Sequence, residues 1–349
     1  MRLTEFAMQA MVLRRHGGPE VLEREEVELP DPGPREVQVR VRAVAMNHMD
    51  LWVRRGLPHL KLEYPHRLGC DIAGVVEKLG PGARAGKVGE RVMLQPAISC
   101  GVCQSCLSGR DNLCRGYHIL GESTQGGYGE LVNVPDTNLL PIPEGMSFTD
   151  AAALPLCTLT AWQMVFRKAK VQPGETVLVH AAGSGVSSIA IQLVKIAGAY
   201  VIATTGTDEK AEKAKELGAD HVINYSKQDF VAEVRTLTKK RGVDVVLDHV
   251  GGDVFAKSIF AATWGGRIVT CGATAGPTPQ IDLRHVFFRQ IEILGSTMGS
   301  KGDLFAALPH IQSGAIKPVV DRVMPLWDAR EAHEILEARK AFGKIVLTI

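Results

Sequence analysis

The chain lacks the features of a membrane, secreted or nucleic-acid-binding protein. None of its 349 residues falls in an uncharged apolar run of the roughly 18 residues that a membrane span requires. The opening residues MRLTEFAMQAM carry Arg2 and Glu5 and no apolar signal segment. There is no long basic run, and 40 Lys and Arg against 38 Asp and Glu leave a formal net charge of +2. We therefore expect a cytoplasmic protein that binds neither nucleic acid nor a membrane.

A disulfide framework is also lacking, because the cysteine count is odd and no export signal is visible. Four of the seven cysteines instead follow the spacing C-x2-C-x2-C-x7-C, at Cys100, Cys103, Cys106 and Cys114. This spacing lets four thiolates converge on one tetrahedral Zn²⁺ ion. Four sulfurs would saturate the zinc, so the predicted role is structural. An iron–sulfur cluster and four unrelated thiols are the alternatives that the spacing leaves open.

The length and the order of apolar runs predict two domains. Residues 10–45 read as short strands separated by Pro- and Gly-rich turns. Later runs alternate between strand and helix, beginning with ETVLVHAA, GVSSIAIQLVKIAGA, YVIATT and DEKAEKAKELGA. Such alternation is typical of a parallel sheet with helices on both faces. The predicted class is α/β, with a β-rich domain beside a doubly wound Rossmann sheet.

A glycine turn between a predicted strand and a predicted helix indicates a dinucleotide site. Gly183 and Gly185 would let backbone N–H groups approach a pyrophosphate at the positive end of the helix. The third glycine of the G-x-G-x-x-G fingerprint is missing, because Ser188 stands in its place. We predict that coenzyme contacts come from Gly183, Ser184, Gly185 and Val186, and also from Thr160, Tyr225 and Gly272.

The second strand of the alternating region lacks the acidic residue that binds the ribose 2′-hydroxyl in NAD sites. Thr204 and Thr205 end this strand instead. Without a carboxylate there is no like-charge repulsion against a 2′-phosphate. Thr205, Thr207 and Lys210 are therefore predicted to hold that phosphate, and NADP(H) is favoured over NAD(H).

Besides the four cysteines, the chain contains the stretches LGCDIAGVVEKLGPGARAGKVGERV, HAAGSGVS, KELGADHVINY and a terminal GKIVL. Together these features resemble the medium-chain dehydrogenase/reductase superfamily, close to its zinc-containing alcohol dehydrogenase-like and quinone oxidoreductase-like members. The resemblance implies a GroES-like catalytic domain from 1–157 and 297–349, with a zinc lobe near 96–116, and a Rossmann domain over 158–296. It also implies a homodimer or homotetramer, structural zinc at the four cysteines, and a pyrophosphate contact from His48.

The chain departs from the family at the catalytic zinc of the two-zinc alcohol dehydrogenases. Their first ligand, a Cys, is matched by Asn47, and the His of their G-H-E stretch is matched by Cys70, which Asp71 follows. Leu156 aligns with the third ligand, with Cys157 one residue beyond. A catalytic zinc needs three suitable protein ligands and an open position. Only two of the matching positions, Cys70 and Asp71, hold residues that can bind zinc without a shift of the alignment.

The stretch Asn47-His-Met-Asp50 is similar to that of zinc-free quinone oxidoreductases, in which the Asn faces the substrate and the Asp supports it. We therefore expect an NAD(P)H-dependent oxidoreductase of quinones, enones, aldehydes or ketones. Its predicted catalytic residues are Asn47, Asp50, Cys70 and Asp71. One alternative is an alcohol dehydrogenase with a variant zinc site built from Cys70, Asp71 and Cys157 or His48. Another is a nucleotide-binding protein without turnover, similar to the crystallin-like relatives of this superfamily.

Overall fold

The contacts of the chain divide it into two units. The computed structural model describes residues 6–58 and 60–349, so the first five residues of the predicted catalytic domain lie outside the described residues. Unit 1 consists of Met1–Leu156 and Pro318–Ile349, and unit 2 consists of Cys157–Lys317. A unit built from both ends of the chain and a unit built from its middle correspond to the two predicted domains.

Within the described residues, short strands predominate in the first part of the chain, and strands alternate with helices from residue 176 to residue 295, as the sequence predicts. The strands are β1 (Phe6–Val12), β2 (Glu23–Leu29), β3 (Glu36–Ala45), β4 (Asp71–Leu79), β5 (Arg91–Leu94), β6 (Ala97–Ile98), β7 (His118–Ile119), β8 (Leu131–Pro135), β9 (Leu139–Pro141), β10 (Thr176–Val179), β11 (Tyr200–Thr205), β12 (His221–Asn224), β13 (Val243–Asp248), β14 (Ala262–Thr270), β15 (Glu292–Gly295), β16 (Val320–Pro325) and β17 (Lys344–Thr348). The α-helices are α1 (His48–Arg55), α2 (Gln104–Leu107), α3 (Phe148–Ala152), α4 (Pro155–Trp162), α5 (Gly185–Ile196), α6 (Asp208–Glu216), α7 (Phe230–Leu237), α8 (Gly252–Ala261), α9 (Leu283–Phe288), α10 (Lys301–Gln312) and α11 (Ala329–Glu337).

Unit 1 is built on a seven-stranded sheet of the order β16-β17-β3-β4-β5-β9, to which β8 is added by pairing with β3. Strand β3 has apolar residues on both faces, and most of its ten residues are buried. It is therefore the central strand, and it pairs in antiparallel fashion with β17, β4 and β8. The last strand of the chain thus lies directly beside β3, which belongs to its first part.

Unit 2 has a six-stranded parallel sheet of the order β12-β11-β10-β13-β14-β15. The first strand, β10, lies between the second and the fourth, so the direction of winding reverses there. This order is that of a doubly wound Rossmann sheet. Its core contains buried apolar side chains from strands and helices, among them Leu178, Ile202, Val246, Phe255 and Ile268. The predicted α/β class, with its Rossmann and β-rich parts, is confirmed.

The second boundary between the units lies later in the chain than the predicted 296/297. Helix α10 packs with unit 2, where the Arg167 guanidinium donates to Asp303 at 2.7 Å. Farther on, the side chain of Gln192 donates to the carbonyl of Lys317 and accepts from its N–H. These long-range bonds hold the segment up to Lys317 against helical segments of unit 2. The resemblance gave the order of domains but could not reveal these contacts.

No helix among the described residues is long and apolar enough to span a lipid bilayer.

Candidate functional site

A group of polar side chains forms in unit 1 where β3 ends and α1 begins. Ala45 in β3 pairs with Val346 of β17 on one side and with Asp71 of β4 on the other. Both pairings are antiparallel, so the residue two positions after Ala45 lies opposite the residue two positions before Val346. Those two residues are Asn47 and Lys344. Strand register therefore brings together side chains from both ends of the chain.

We call Asn47, Cys70, Asp71 and Lys344 the polar cluster. The Lys344 ammonium donates to Asn47 Oδ1 at 2.6 Å and to Asp71 Oδ2 at 3.0 Å. The Asn47 amide nitrogen donates to Asp71 Oδ2 at 2.9 Å and to Cys70 Sγ at 3.3 Å. An ammonium group can only donate, so the amide oxygen of Asn47 must be the atom that faces Lys344. One amide hydrogen consequently faces Asp71, and the other faces Cys70 Sγ and, at 3.5 Å from the nitrogen, the carbonyl oxygen of Ala45.

The polar cluster is deeply buried, and Asn47 is its most accessible member. Cys70 and Asp71 are 0% exposed, Lys344 is 4% exposed and Asn47 is 8% exposed. A thiol sulfur is a weak acceptor, so the hydrogen that Asn47 directs at Cys70 is the more weakly held of the two. A stronger acceptor, such as a carbonyl oxygen, can compete for this hydrogen.

Asp50 ties the start of α1 to the segment before β4. One carboxylate oxygen accepts from the N–H of Asn47 at 2.7 Å, and the other accepts from the N–H of Gly69 at 3.0 Å. Complete burial raises the pKa of Asp50 to about 6, although the two amide bonds oppose that rise. These contacts connect Asp50 to the backbone of Asn47 and Gly69, and its role in catalysis stays a prediction.

The polar cluster does not fit a catalytic zinc. Asp71 Oδ2 accepts from the Lys344 ammonium, while Asp71 Oδ1 accepts from the N–H of Leu156 at 2.7 Å. A divalent cation bound to this carboxylate would lie beside a buried positive charge, and repulsion at that range is strong. Within the described residues, the four clustered cysteines are the only group of three or more His, Cys, Asp or Glu side chains that could hold a metal. The residues present argue against the variant zinc site.

His48, the first residue of α1, is half-buried in a positively charged environment. Its pKa is lowered, first by burial and then by the charges of Arg339, Lys344 and Arg55. A group of cations around a helix N-terminus favours an anion there. The pyrophosphate contact of His48 nevertheless stays a prediction.

The four predicted metal ligands converge on one point in unit 1. Cys103 Sγ lies 3.5 Å from Cys106 Sγ, Cys114 Sγ lies 3.5 Å from Cys100 Sγ, and Cys100 Sγ lies 3.9 Å from Cys106 Sγ. All four sulfurs lie within 4.8 Å of one another. Tetrahedral Zn–S bonds of about 2.3 Å place the sulfurs about 3.8 Å apart, so the arrangement fits zinc. With four sulfurs as ligands, such a zinc would have no open position for a substrate.

In unit 2, the predicted dinucleotide turn lies between β10 and α5. Gly183 and Ser184 precede the helix, and Gly185 and Val186 are its first two residues. The hydroxyl of Ser184 caps α5 by accepting from the N–H of Ser187 at 3.0 Å. The unpaired N–H groups and positive dipole of such a helix start stabilise a phosphate. These four predicted residues therefore lie together where a dinucleotide pyrophosphate would bind.

His180, at the end of β10, is fully buried, and burial lowers its pKa to about 3, so it is neutral. Ser258 donates its hydroxyl hydrogen to the carbonyl of Val254 at 2.8 Å, so it must accept from His180 Nε2. His180 Nδ1 therefore accepts from Thr204 Oγ1, which also accepts from the N–H of Ala181. Thr204 and His180, which directly follows β10, thus hold the turn in place through hydrogen bonds from its buried side.

The residues predicted to select the coenzyme lie at the junction of β11 and α6. Thr205 is buried and donates its hydroxyl to the carbonyl of Thr207 at 3.1 Å. Thr207 caps α6 by accepting from the N–H of Lys210 at 3.2 Å. Tyr225 is exposed and lies against Gly206, where an added Cβ would come within 2.8 Å of the phenol oxygen. The junction therefore brings these predicted residues together, although the Thr205 hydroxyl already donates a hydrogen bond inside the protein.

The remaining predicted coenzyme residues, Thr160 and Gly272, also belong to unit 2. Thr160 lies in α4 and is buried, and its hydroxyl has no hydrogen-bond partner among the described residues. Gly272 follows β14 and lies against His249, since an added Cβ would be 3.3 Å from the His249 carbonyl oxygen. Gly272 therefore belongs to the group of loops at the carboxyl ends of β10, β13 and β14.

Two residues of these sites were not found from the sequence. Lys344 was seen only as part of the terminal GKIVL stretch, and no local pattern links it to Asn47. His249 contacts the coenzyme turn, with Nε2 at 2.8 Å from Ser184 Oγ and 3.0 Å from Ser187 Oγ. A polar residue directly after a buried parallel strand is a signal that could have identified His249, because ligands bind at the carboxyl ends of such strands.

Comparison with known proteins agrees with this architecture. Residues 33–144 match the family model of the alcohol dehydrogenase GroES-like domain, and residues 185–313 match that of the zinc-binding dehydrogenases. The chain is 32% identical to a 2-haloacrylate reductase of a Burkholderia species, over 97% of this chain and 98% of that protein. It is also 32% identical to a quinone oxidoreductase of Salmonella typhimurium, over 95% and 97% of the two chains.

A solved structure described as an NAD-dependent alcohol dehydrogenase has a TM-score of 0.95 and 51% identity to this chain. The match covers 98% of this chain and 100% of the other. All three proteins are named as oxidoreductases, one of them as NAD-dependent, which favours an enzyme over a binding protein without turnover. The chain belongs to the medium-chain dehydrogenase/reductase superfamily, as a zinc-binding, alcohol dehydrogenase-like NAD(P)-dependent oxidoreductase.

Proposed function

We propose that this oxidoreductase reduces quinones, enones or activated aldehydes and ketones, with Asn47 as the group that polarises the acceptor oxygen and without a catalytic zinc. The observation that carries the proposal is the 2.6 Å hydrogen bond from the Lys344 ammonium to Asn47 Oδ1. It orients the amide hydrogens of Asn47, and the same ammonium places a positive charge beside Asp71, a carboxylate that a zinc in this cluster would need as a ligand.

The nicotinamide coenzyme supplies the hydride when it is bound. The chain contributes a donor whose orientation is set before the substrate arrives. A cation that bonds the amide oxygen polarises the amide, which strengthens its N–H groups as donors. As negative charge develops on the acceptor oxygen, the Asn47 N–H that now points to Cys70 can donate its hydrogen bond to that oxygen instead. Cys70 loses only a weak contact in this exchange.

The strength of this arrangement determines the class of substrate. One preorganised donor contributes roughly 3 kcal/mol to the transition state, less than a Lewis-acid metal supplies. Quinones and enones accept hydride readily, whereas oxidation of a simple alcohol requires help in removing its proton. The names of two relatives, a 2-haloacrylate reductase and a quinone oxidoreductase, support activated acceptors. The structure named an NAD-dependent alcohol dehydrogenase supports the rival assignment, an alcohol dehydrogenase.

Zinc content and substrate preference distinguish these two functions. We expect the purified protein to contain one zinc per subunit and to oxidise NAD(P)H with quinones and enones. Substitution Cys70→Ser should leave the zinc content at one, because Cys70 is not a metal ligand in this proposal. Elemental analysis together with steady-state assays on quinones, enones and primary alcohols provides the measurement. Two zincs per subunit, one of them lost in Cys70→Ser, would establish the alcohol dehydrogenase instead.

We further propose that NADPH is preferred over NADH. The junction of β11 and α6 has Thr205, Gly206 and Thr207 where an NAD site has an acidic residue, and Lys210 follows in the first turn of α6. We expect kcat/KM to be about tenfold higher with NADPH, because one charged hydrogen bond is worth about 1.5 kcal/mol. Lys210→Met should reduce this ratio, while Lys213→Met, on the same helix and paired with Glu209, should preserve it. Equal kcat/KM for both coenzymes would refute the preference.

The cytoplasmic location and the homodimeric or homotetrameric assembly remain predictions. Cell fractionation and light scattering of the purified protein are the measurements that test them.

A further inference from the structure

His249 makes a hydrogen-bond arrangement whose proton positions can be deduced. The Ser187 hydroxyl donates its only hydrogen to the His180 carbonyl at 2.6 Å. Its contact with His249 Nε2 at 3.0 Å can then form only if the nitrogen carries the hydrogen. His249 is therefore an Nε2–H donor, and this assignment follows from the carbonyl of His180, the residue directly after β10.

The same proton determines the role of the Ser184 hydroxyl. Ser184 Oγ accepts from the N–H of Ser187 at 3.0 Å and lies 2.8 Å from His249 Nε2. Because Nε2 carries a hydrogen, Ser184 cannot donate to it and can only accept. Both lone pairs of the oxygen are then used. Among the described residues no acceptor receives the Ser184 hydroxyl hydrogen, which leaves it for a ligand at the N-terminus of α5.

The position of His249 is fixed by its own backbone. Its carbonyl oxygen accepts from the N–H of Thr274 at 3.2 Å and from the Thr274 hydroxyl at 3.3 Å. Gly272 packs against the same residue. His249 therefore connects the loop after β14 with the first turn of α5. Ser187 takes part in this connection through its contact with His249 Nε2 at 3.0 Å.

We propose that His249 is a positioning residue for the coenzyme: by donating from Nε2, it directs the Ser184 hydroxyl hydrogen to a phosphate oxygen of the bound dinucleotide. A phosphate oxygen suits this donor because it is anionic and because the start of α5 is already positive. The proposal depends on the coenzyme turn and is independent of the substrate class and of the role of Asn47. It survives even if no quinone or enone is turned over.

The test measures the dissociation constant of NADPH and of NADH by calorimetry on the intact protein. His249→Phe retains a ring and removes the donor, so we expect binding to weaken about tenfold, the typical effect of losing one hydrogen bond to a charged group. Ser184→Ala should have an effect of similar size. His249→Gln, whose amide can reach the position of Nε2, should restore most of the affinity. Ser188→Ala is the matched control, because its hydroxyl donates only to the carbonyl of Gly185 within the helix.

The double variant Ser184→Ala/His249→Phe distinguishes positioning from a general loss of structure. If His249 acts through Ser184, the double variant should bind no more than about twofold more weakly than Ser184→Ala. Adenosine, which has no phosphate, should bind all variants equally. Additive losses, a weakened affinity for adenosine, or unchanged coenzyme binding in His249→Phe would each overturn the proposal. If His249→Phe fails to fold, Ser184→Ala and His249→Gln still test the proposal. Equal coenzyme binding by the wild type and Ser184→Ala would contradict it.

Discussion

Replacing Lys344 with methionine should lower kcat for quinone and enone reduction by about 100-fold, the loss expected when a preorganised electrostatic donor is disabled. Methionine nearly matches the lysine stem in size but cannot donate to Asn47 Oδ1. The amide of Asn47 would then lose both its polarising charge and its fixed orientation. The same change leaves the carboxylate of Asp71, which is 0% exposed, without its cation. An uncompensated buried charge costs about 3–5 kcal/mol, so the free energy of unfolding of unit 1 should fall by that amount.

A second substitution separates the effect on stability from the effect on catalysis. In Lys344→Met/Asp71→Asn the buried negative charge is removed, while the asparagine oxygen can still accept from the N–H of Leu156. We expect most of the lost stability to return in denaturant unfolding, whereas kcat stays low because the ammonium is still absent. Lys78→Met serves as a control, since Lys78 pairs with Asp31 at a partly exposed position. Full recovery of kcat in the double variant would show that Lys344 serves stability alone.

The sequence was informative where one segment carries the whole signal. The glycine turn and the runs around it predicted the parallel sheet, because each strand, turn and helix is defined by its own residues. The four cysteines predicted a metal site for the same reason, since they lie within one short stretch of chain. The structure accordingly brings Gly183, Ser184 and Gly185 to the start of α5, and it brings the four sulfurs together.

The sequence was insufficient where a site depends on the register of distant strands. Lys344 meets Asn47 across 297 positions of chain, through the pairing of β17 with β3. A shift of one residue in that pairing would move Lys344 to the opposite face of the sheet. Neither residue has a local pattern that specifies this register. The position of the proton on His249 Nε2 could not be predicted from the sequence either, because it depends on a carbonyl and two hydroxyls that only folding brings together.

Loss of the four-cysteine site should unfold the lobe around it, because this segment has no apolar core of its own. Between residues 100 and 116 only Asp111 and Cys114 are buried, while Val102, Leu107 and Leu113 are more than half exposed. Zinc binding to such sites is worth about 10–16 kcal/mol, which here would be the main source of local stability. In Cys103→Ser we therefore expect the zinc content to fall from one per subunit to nearly none.

The loss should be visible as proteolysis confined to the lobe. The seven-stranded sheet of unit 1 has its own buried side chains, so we expect cleavage within residues 100–116 while the rest of unit 1 resists the protease. Treating the wild-type protein with a strong zinc chelator should produce the same cleavage pattern. Cys271→Ser is the matched control, since this cysteine belongs to unit 2 and is not one of the four clustered cysteines, so the variant should keep one zinc per subunit. Resistance of the lobe in zinc-free Cys103→Ser would mean that contacts with the rest of unit 1, and not the metal, hold it in place.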